Sequence, residues 1–112
     1  GSVKWQDSRE AIREMRDLCS TAGVPFTVLM LPDFTQNFDD RYAWRTIHDA
    51  VASWGRELNI PTFDVLTTFR GQDHQLLWVP WDGHPNAEAH RQIAEFLVAR
   101  ILENFRSRAP RP

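Results

Sequence analysis

A chain of 112 residues with a net charge of −2 has room for one domain at most and no basic excess to drive phosphate contacts. Apolar residues at 42% and charged residues at 25% are ordinary globular values, which excludes a disordered or collagen-like chain; with the arginines scattered along helices, nucleic-acid binding is not expected either. The longest unbroken apolar stretch, "VLML" at 28–31, is far below the roughly 20 residues that span a bilayer, and the single cysteine, Cys19, excludes an internal disulfide without identifying a compartment.

Gly1-Ser2 reads as a cloning remnant, so residues 1–5 are taken as a linker ahead of a folded segment at 6–106. Residues 7–22 place Ala11, Met15, Leu18 and Ala22 at helical spacing, widened by Ile12 and Cys19, with Asp7 or Ser8 as the cap and Gly23 as the stop. "FTVLML" at 26–31 is an almost continuous apolar run, the pattern of a parallel strand covered on both faces. Pro32 ends it, and "DFTQNF" forms a polar loop carrying Phe34 and Phe38. A helix is expected over 39–58, where Ala43, Ile47, Ala50, Val51, Trp54 and Leu58 share one broad apolar face.

"IPTFDVL" at 60–66 reads as a second strand interrupted by Asp64. The loop that follows runs to Pro80, and within it "HQLLWV" fits either a helical turn or a brief extended piece. Asn86 caps a last helix over 87–106, in which Ile93, Leu97, Ile101 and Phe105, backed by Ala94, Val98 and Leu102, make nearly half the circumference apolar. Residues 107–112, "SRAPRP", are expected to fray.

Helix, strand, helix, strand, helix is an α/β pattern with a parallel sheet flanked by helices. Two strands are few for such a sheet, since open doubly wound sheets usually carry about five or six. The expectation is therefore the C-terminal half of a larger α/β domain, whose missing N-terminal half completes the sheet; a second copy is the other way to complete it.

The segment that reads as chemistry is "WDGHPNAEAH" at 81–90. It leaves the second strand at the edge where open α/β sheets bind ligands. His84 stands just outside the start of the last helix, where the positive dipole end favours a neutral imidazole suited to act as a general base. If Asp82 accepts a hydrogen bond from the Nδ1 side of His84, it fixes the tautomer and stabilises the imidazolium formed during reaction. The competing reading of Asp82 is a turn residue before glycine.

"DGHPNAEAHRQIAEFL" resembles the C-terminal motif block of the SGNH (GDSL-type) hydrolases, and "LCSTAGVPFTVLMLP" and "LNIPTFDVLTTF" resemble the helix and strands that precede it, so about 100 residues match in order. The resemblance implies a flavodoxin-like three-layer α/β/α domain acting as an esterase, lipase or acetyl-transfer enzyme through a Ser-His-Asp triad. His84 matches the family's base and Asp82 its acid. The commoner family spacing is DxxH, while DxH occurs in related branches that include alginate-type O-acetyltransferases. The family's nucleophile lies in an N-terminal GDS motif and its oxyanion donors in two following blocks, none of which this sequence contains; Ser8, Ser20 and Ser53 fall in helices and Ser107 in the tail. The nucleophile is thus expected outside this chain.

The substrate implied is an ester or an acylated small molecule or carbohydrate. Trp78 and Trp81 either line its pocket or close the core under the last helix, and Phe34 and Phe38 carry the same ambiguity. No cofactor is expected. A metal site built from Asp82, His84 and His90 is disfavoured, because a spacing of six does not put both histidines on one helix face. His48 and His74 read as solvated or packed, and Asp64 as a strand-end residue that bonds near the site or faces solvent.

Overall fold

The computed structural model describes residues 2–108, apart from the side chains of residues 2, 3, 105 and 108; Phe105, placed on the last helix's apolar face, lies outside the described side chains, as 109–112 of the expected tail lie outside the described residues. In chain order the elements are helix α1 (Ser2–Ala22), strand β1 (Val28–Met30), helix α2 (Arg45–Glu57), strand β2 (Thr62–Asp64), a short helix α3 (Leu66–Phe69), a 3-10 turn (His74–Leu76) and helix α4 (Ala87–Arg108). The chain is mixed α/β. β1 and β2 pair in parallel, with Val28 opposite Thr62, Leu29 opposite Phe63 and Met30 opposite Asp64. These elements fall into two compact units: residues 2–30 with 44–64, and residues 31–43 with 65–108.

In the first unit, Val51, Trp54, Leu58 and Ile60 form the core, and Ile12, Phe26, Val28 and Met30 pack against it. Of the face its apolar spacing marks out, α2 and its C-cap bury Val51, Trp54 and Leu58 and half-bury Ile47 and Ala50, while Ala43 is exposed ahead of the helix. α1 differs. Its stripe of Ala11, Met15, Leu18 and Ala22 is exposed, with Met15 at 46% and Leu18 at 72%, and it edges an open depression that Glu14, Asp17 and Thr21 also line. The other side carries Trp5, 38% exposed but with its ring centroid 4.6 Å from that of Trp54, then Ile12 and Arg16, which donates to the Leu58 carbonyl at 2.7 Å. Trp5 also explains why the helix starts at Ser2, before the expected caps. Packing on Trp54 rewards an extra turn, and Ser8, four residues inside the helix, donates to the Lys4 carbonyl instead of capping.

Both strands are shorter than their apolar runs and half-buried along their length, so the expected burial of β1 on both faces is not met; Leu31 is 45% exposed. Among the described residues each strand has one hydrogen-bonded neighbour and keeps an open edge. α2 lies close on the sheet because Gly55 has no side chain: a Cβ there would stand 2.1 Å from Thr62 Oγ1 and 3.2 Å from the Ile60 carbonyl oxygen.

The helix expected from residue 39 begins only at Arg45. Residues 39–44 are turns because polar side chains take up the backbone: Asp39 accepts from the Arg41 N–H at 2.8 Å, and Gln36 accepts from the Ala43 N–H at 2.8 Å.

The second unit buries an aromatic group in which Phe34, Phe38 and Phe69 have ring centroids 5.2–5.6 Å apart, joined by Tyr42, Val65, Leu66, Leu77, Ala89 and Ile93 among its buried residues. Phe34 and Phe38 are core residues of this unit. α3 occupies the end of the segment expected to be strand. The "HQLLWV" ambiguity resolves into both forms: a 3-10 turn capped by Asp73, whose carboxylate accepts from the Gln75 N–H at 2.9 Å, then an extended piece at Trp78. α4 buries Ala89 and Ile93 in its first two turns, while Val98, Ile101 and Leu102 are exposed; it runs on through Ser107, into the tail expected to fray.

Candidate active site

Residues 77–86 close on themselves as a narrow hairpin. The Asn86 N–H donates to the Leu77 carbonyl at 2.9 Å, Trp78 and Pro85 form an antiparallel bridge, and the Val79 N–H donates to the His84 carbonyl at 2.8 Å. Its tip is a turn in which the Asp82 N–H, at 3.2 Å, and the Gly83 N–H, at 3.3 Å, both donate to the Val79 carbonyl. Pro80 is second in that turn and Trp81 third, with φ at +71°, the pattern of a type II turn in which the third residue must be left-handed.

Gly83 follows with φ at +79°, and a Cβ on it would sit 2.9 Å from Thr35 Cγ2. Both the conformation and the close approach favour glycine there. Thr35 is held in turn by Asp33, whose Oδ1 accepts from the Thr35 N–H at 2.9 Å and its hydroxyl at 2.7 Å.

With Gly83 left-handed between them, the side chains of Asp82 and His84 turn to the same side, and Asp82 Oδ1 is in direct hydrogen-bond contact with His84 Nδ1. An ionised carboxylate only accepts, so the proton of a neutral imidazole sits on Nδ1 and the lone pair on Nε2. The His84 side chain is 79% exposed and that of Asp82 53%, so the imidazole is open to solvent. The loop ends in a firm anchor: Asn86 Oδ1 accepts from the Ala89 N–H at 3.0 Å as the cap of α4, and its Nδ2 donates to the Leu76 carbonyl at 2.8 Å. The structure contains the Asp82–His84 contact that the sequence leaves conditional, ahead of the helix capped by Asn86 as expected; Asp82 is also a turn residue before glycine.

The two tryptophans differ. Trp78 is half-buried with its ring 5.9 Å from that of His74, whereas Trp81 is 99% exposed at the turn's tip. His74 is packed between Trp78 and Phe38, and its Nδ1 lies 3.0 Å from the Phe34 carbonyl oxygen. His90 is exposed on α4, and among the described residues no group of three or more His, Cys, Asp or Glu side chains is placed to hold a metal ion. Ser8 and Ser20 lie in α1, Ser53 in α2 and Ser107 in α4, so none of them occupies a strand-to-helix turn.

A second His–carboxylate pair escaped the sequence reading. His48 on α2 is buried, and its Nδ1 lies 2.9 Å from Asp64 Oδ1 at the end of β2. The only signal for it was an acid interrupting an apolar strand. Comparison of the chain with family models, curated proteins and solved structures gives no match.

Proposed function

We propose that this chain supplies the base, His84, and the acid, Asp82, of a Ser-His-Asp triad in an ester hydrolase of SGNH type, with the serine on polypeptide outside these 112 residues. The observation that carries the reading is the exposed His84 imidazole, bound through Nδ1 to Asp82 and presenting Nε2 as the acceptor. The two-stranded parallel sheet, with helices before, between and after its strands, supports a flavodoxin-like three-layer domain continued by other chain.

In this reading Nε2 takes the proton of the serine hydroxyl as its oxygen attacks the ester carbonyl. The same proton goes to the departing alcohol when the tetrahedral intermediate collapses to an acyl-enzyme. Water then gives its proton to Nε2, attacks the acyl carbonyl, and the carboxylic acid leaves as the proton returns to the serine. An alcohol acceptor in place of water makes the same site an O-acetyltransferase, and a carbohydrate acetyl ester makes it an acetylesterase.

The test is turnover of a short-chain nitrophenyl ester by the 112 residues alone and by the longer polypeptide. The longer form is expected to be active and to lose about six orders of magnitude in kcat with His84→Ala, as triads do when the base is removed. Turnover by the 112 residues alone, abolished by His84→Ala, would contradict a nucleophile outside them. Full activity of the longer form without His84 would remove the triad.

The exposed Met15 and Leu18 of α1 and Val98, Ile101 and Leu102 of α4 also suit a second reading, a non-catalytic α/β interaction module that completes its sheet with a partner or a second copy. Sedimentation of the chain as a dimer, together with a parent protein indifferent to His84, would favour it.

A further inference from the structure

The turn that carries Asp82 and His84 has little packing of its own to hold it. Val79 and Trp81 are exposed, as are the side chains of Asp82 and His84, and an exposed ion pair is worth little by itself because water competes for both partners. The two backbone bonds to the Val79 carbonyl are long, at 3.2 and 3.3 Å. Whether the carboxylate stays on Nδ1 therefore depends on how firmly Gly83, the link between the two residues, is held in its left-handed conformation.

Gly83 has a neighbour from outside the hairpin. The Thr35 methyl stands where it would meet a Cβ at 2.9 Å, so it covers the face of the glycine that has no side chain. That methyl is aimed. Thr35 Oγ1 donates to Asp33 Oδ1 at 2.7 Å, and in a β-branched residue fixing one branch fixes the other. Asp33 is tied down in turn: its Oδ2 accepts from Gln36 Nε2 at 2.9 Å, and its N–H donates at 2.8 Å to the hydroxyl of Tyr42, which is 5% exposed. A line of contacts thus runs from a buried tyrosine through Asp33 and Thr35 to the residue that joins Asp82 to His84.

We propose that Thr35 is a positioning residue of the His84–Asp82 pair. Its methyl, aimed by Asp33, holds Gly83 in the turn that keeps the Asp82 carboxylate on His84 Nδ1, and so keeps the Nε2 lone pair available as the proton acceptor. This rests on the ester-hydrolase reading above, in which Thr35 acts on the base through Gly83 and not on the substrate.

The tautomer of the neutral His84 ring reports the contact, because an imidazole in water favours Nε2–H whereas a carboxylate on Nδ1 favours Nδ1–H. The ring-nitrogen chemical shifts, assigned by their loss in His84→Gln, are read at a pH where the ring is neutral, with Asp82→Ala giving the values of the unpaired ring. The unsubstituted chain is expected to show Nδ1–H. Thr35→Ser keeps the hydroxyl and loses the methyl, so both nitrogens should move toward their Asp82→Ala values; Thr35→Val keeps a methyl and should leave them in place. In the longer polypeptide Thr35→Ser should lower kcat by between about ten- and a hundredfold with KM unchanged, since a misplaced base costs rate and not binding, and Thr35→Val should retain most of the rate.

An unchanged His84 ring in Thr35→Ser overturns the proposal even if the urea midpoint falls, because Thr35 would then be structural only. So does a ring displaced as far by Thr35→Val as by Thr35→Ser, or an unchanged kcat in a longer polypeptide that needs His84. Full activity of that polypeptide without His84 removes the triad instead, while the ring signature of the 112 residues still decides whether Thr35 holds the pair, so the two failures are distinguishable.

Discussion

His48 Nδ1 lies 2.9 Å from an Asp64 carboxylate oxygen with the imidazole 3% exposed, while the chemically identical contact between His84 and Asp82 is made by a ring 79% exposed. The same pair of groups is thus used twice under opposite solvation. In the buried case an imidazole N–H has little water to fall back on, so removing its acceptor costs the desolvation of that group, about 1–3 kcal/mol. In the exposed case water replaces the partner, and surface substitutions of this kind fall within about 0.5 kcal/mol.

Asp64→Ala is accordingly expected to lower the urea midpoint by the equivalent of about 1–3 kcal/mol, and Asp64→Asn by less, because its amide oxygen still accepts. His84→Ala and Asp82→Ala should leave the midpoint nearly unchanged. Equal losses at the two pairs would show that His84 is a structural residue.

Gly55 reverses a general rule. In a helix interior, Gly→Ala usually stabilises by about 1 kcal/mol, because alanine leaves the unfolded chain less freedom to lose. Here the added methyl would stand 2.1 Å from Thr62 Oγ1, 2.6 Å from Thr62 Cβ and 3.2 Å from the Ile60 carbonyl. α2 must lift from β2 to admit it, and overpacking of this kind costs about 1–3 kcal/mol. Gly55→Ala should therefore lower the melting temperature. Adding Thr62→Ala should recover part of the loss, since Oγ1 is removed while Cβ and the carbonyl remain, and a double-mutant cycle measures that share. A stabilising Gly55→Ala would mean that the helix does not approach the strand so closely.

How far these features were legible in the sequence follows from how local they are. Asp82 and His84 are separated by one glycine, and Asn86 caps a helix through the Ala89 N–H three residues on, so spacing within ten residues marked the cap and left the His84 contact conditional on the turn at Gly83. The parallel pairing and the order of the main helices also followed from apolar runs and helical periods. α1 shows where periodicity stops informing. Its sequence carries two stripes, one through Met15 and Leu18 and one through Trp5, Ile12 and Arg16, and a partner 40 or more residues away, Trp54 and Leu58, decides which of them makes contact.

The same holds for His48 and Asp64, 16 residues apart on a helix and a strand whose register no local rule fixes. The late start of α2 was missed because Asp39 and Gln36 satisfy backbone groups that a helix would have used. Trp81 was visible as an aromatic beside the site, but its left-handed backbone came from the turn it closes with Val79 and Pro80.

Glu88 gives the site's anchoring helix an acid-sensitive first turn. The Arg91 side chain hydrogen-bonds its carboxylate, Gln92 adds a second donor, and together they pull its pKa down to about 2. The ordinary glutamate value is about 4.3, so the folded state favours the ionised form. The stabilising contribution is therefore complete above that ordinary value and is lost as pH falls from about 4 toward 2, where the folded carboxyl takes up its proton. The charge also sits in the first turn of α4, where the helix dipole favours an anion.

Titration of the Glu88 side-chain carboxyl by carbon-detected NMR should give a midpoint near 2 at low salt, rising toward the ordinary value in about 1 M salt as the exposed ion pair is screened. Glu88→Gln should flatten the loss of stability between pH 4 and pH 2 without altering the Asn86 cap, which bonds to Ala89 independently. A midpoint at the ordinary glutamate value would show that Arg91 turns elsewhere in solution, leaving Asn86 as the chief fixed point of the helix start behind His84.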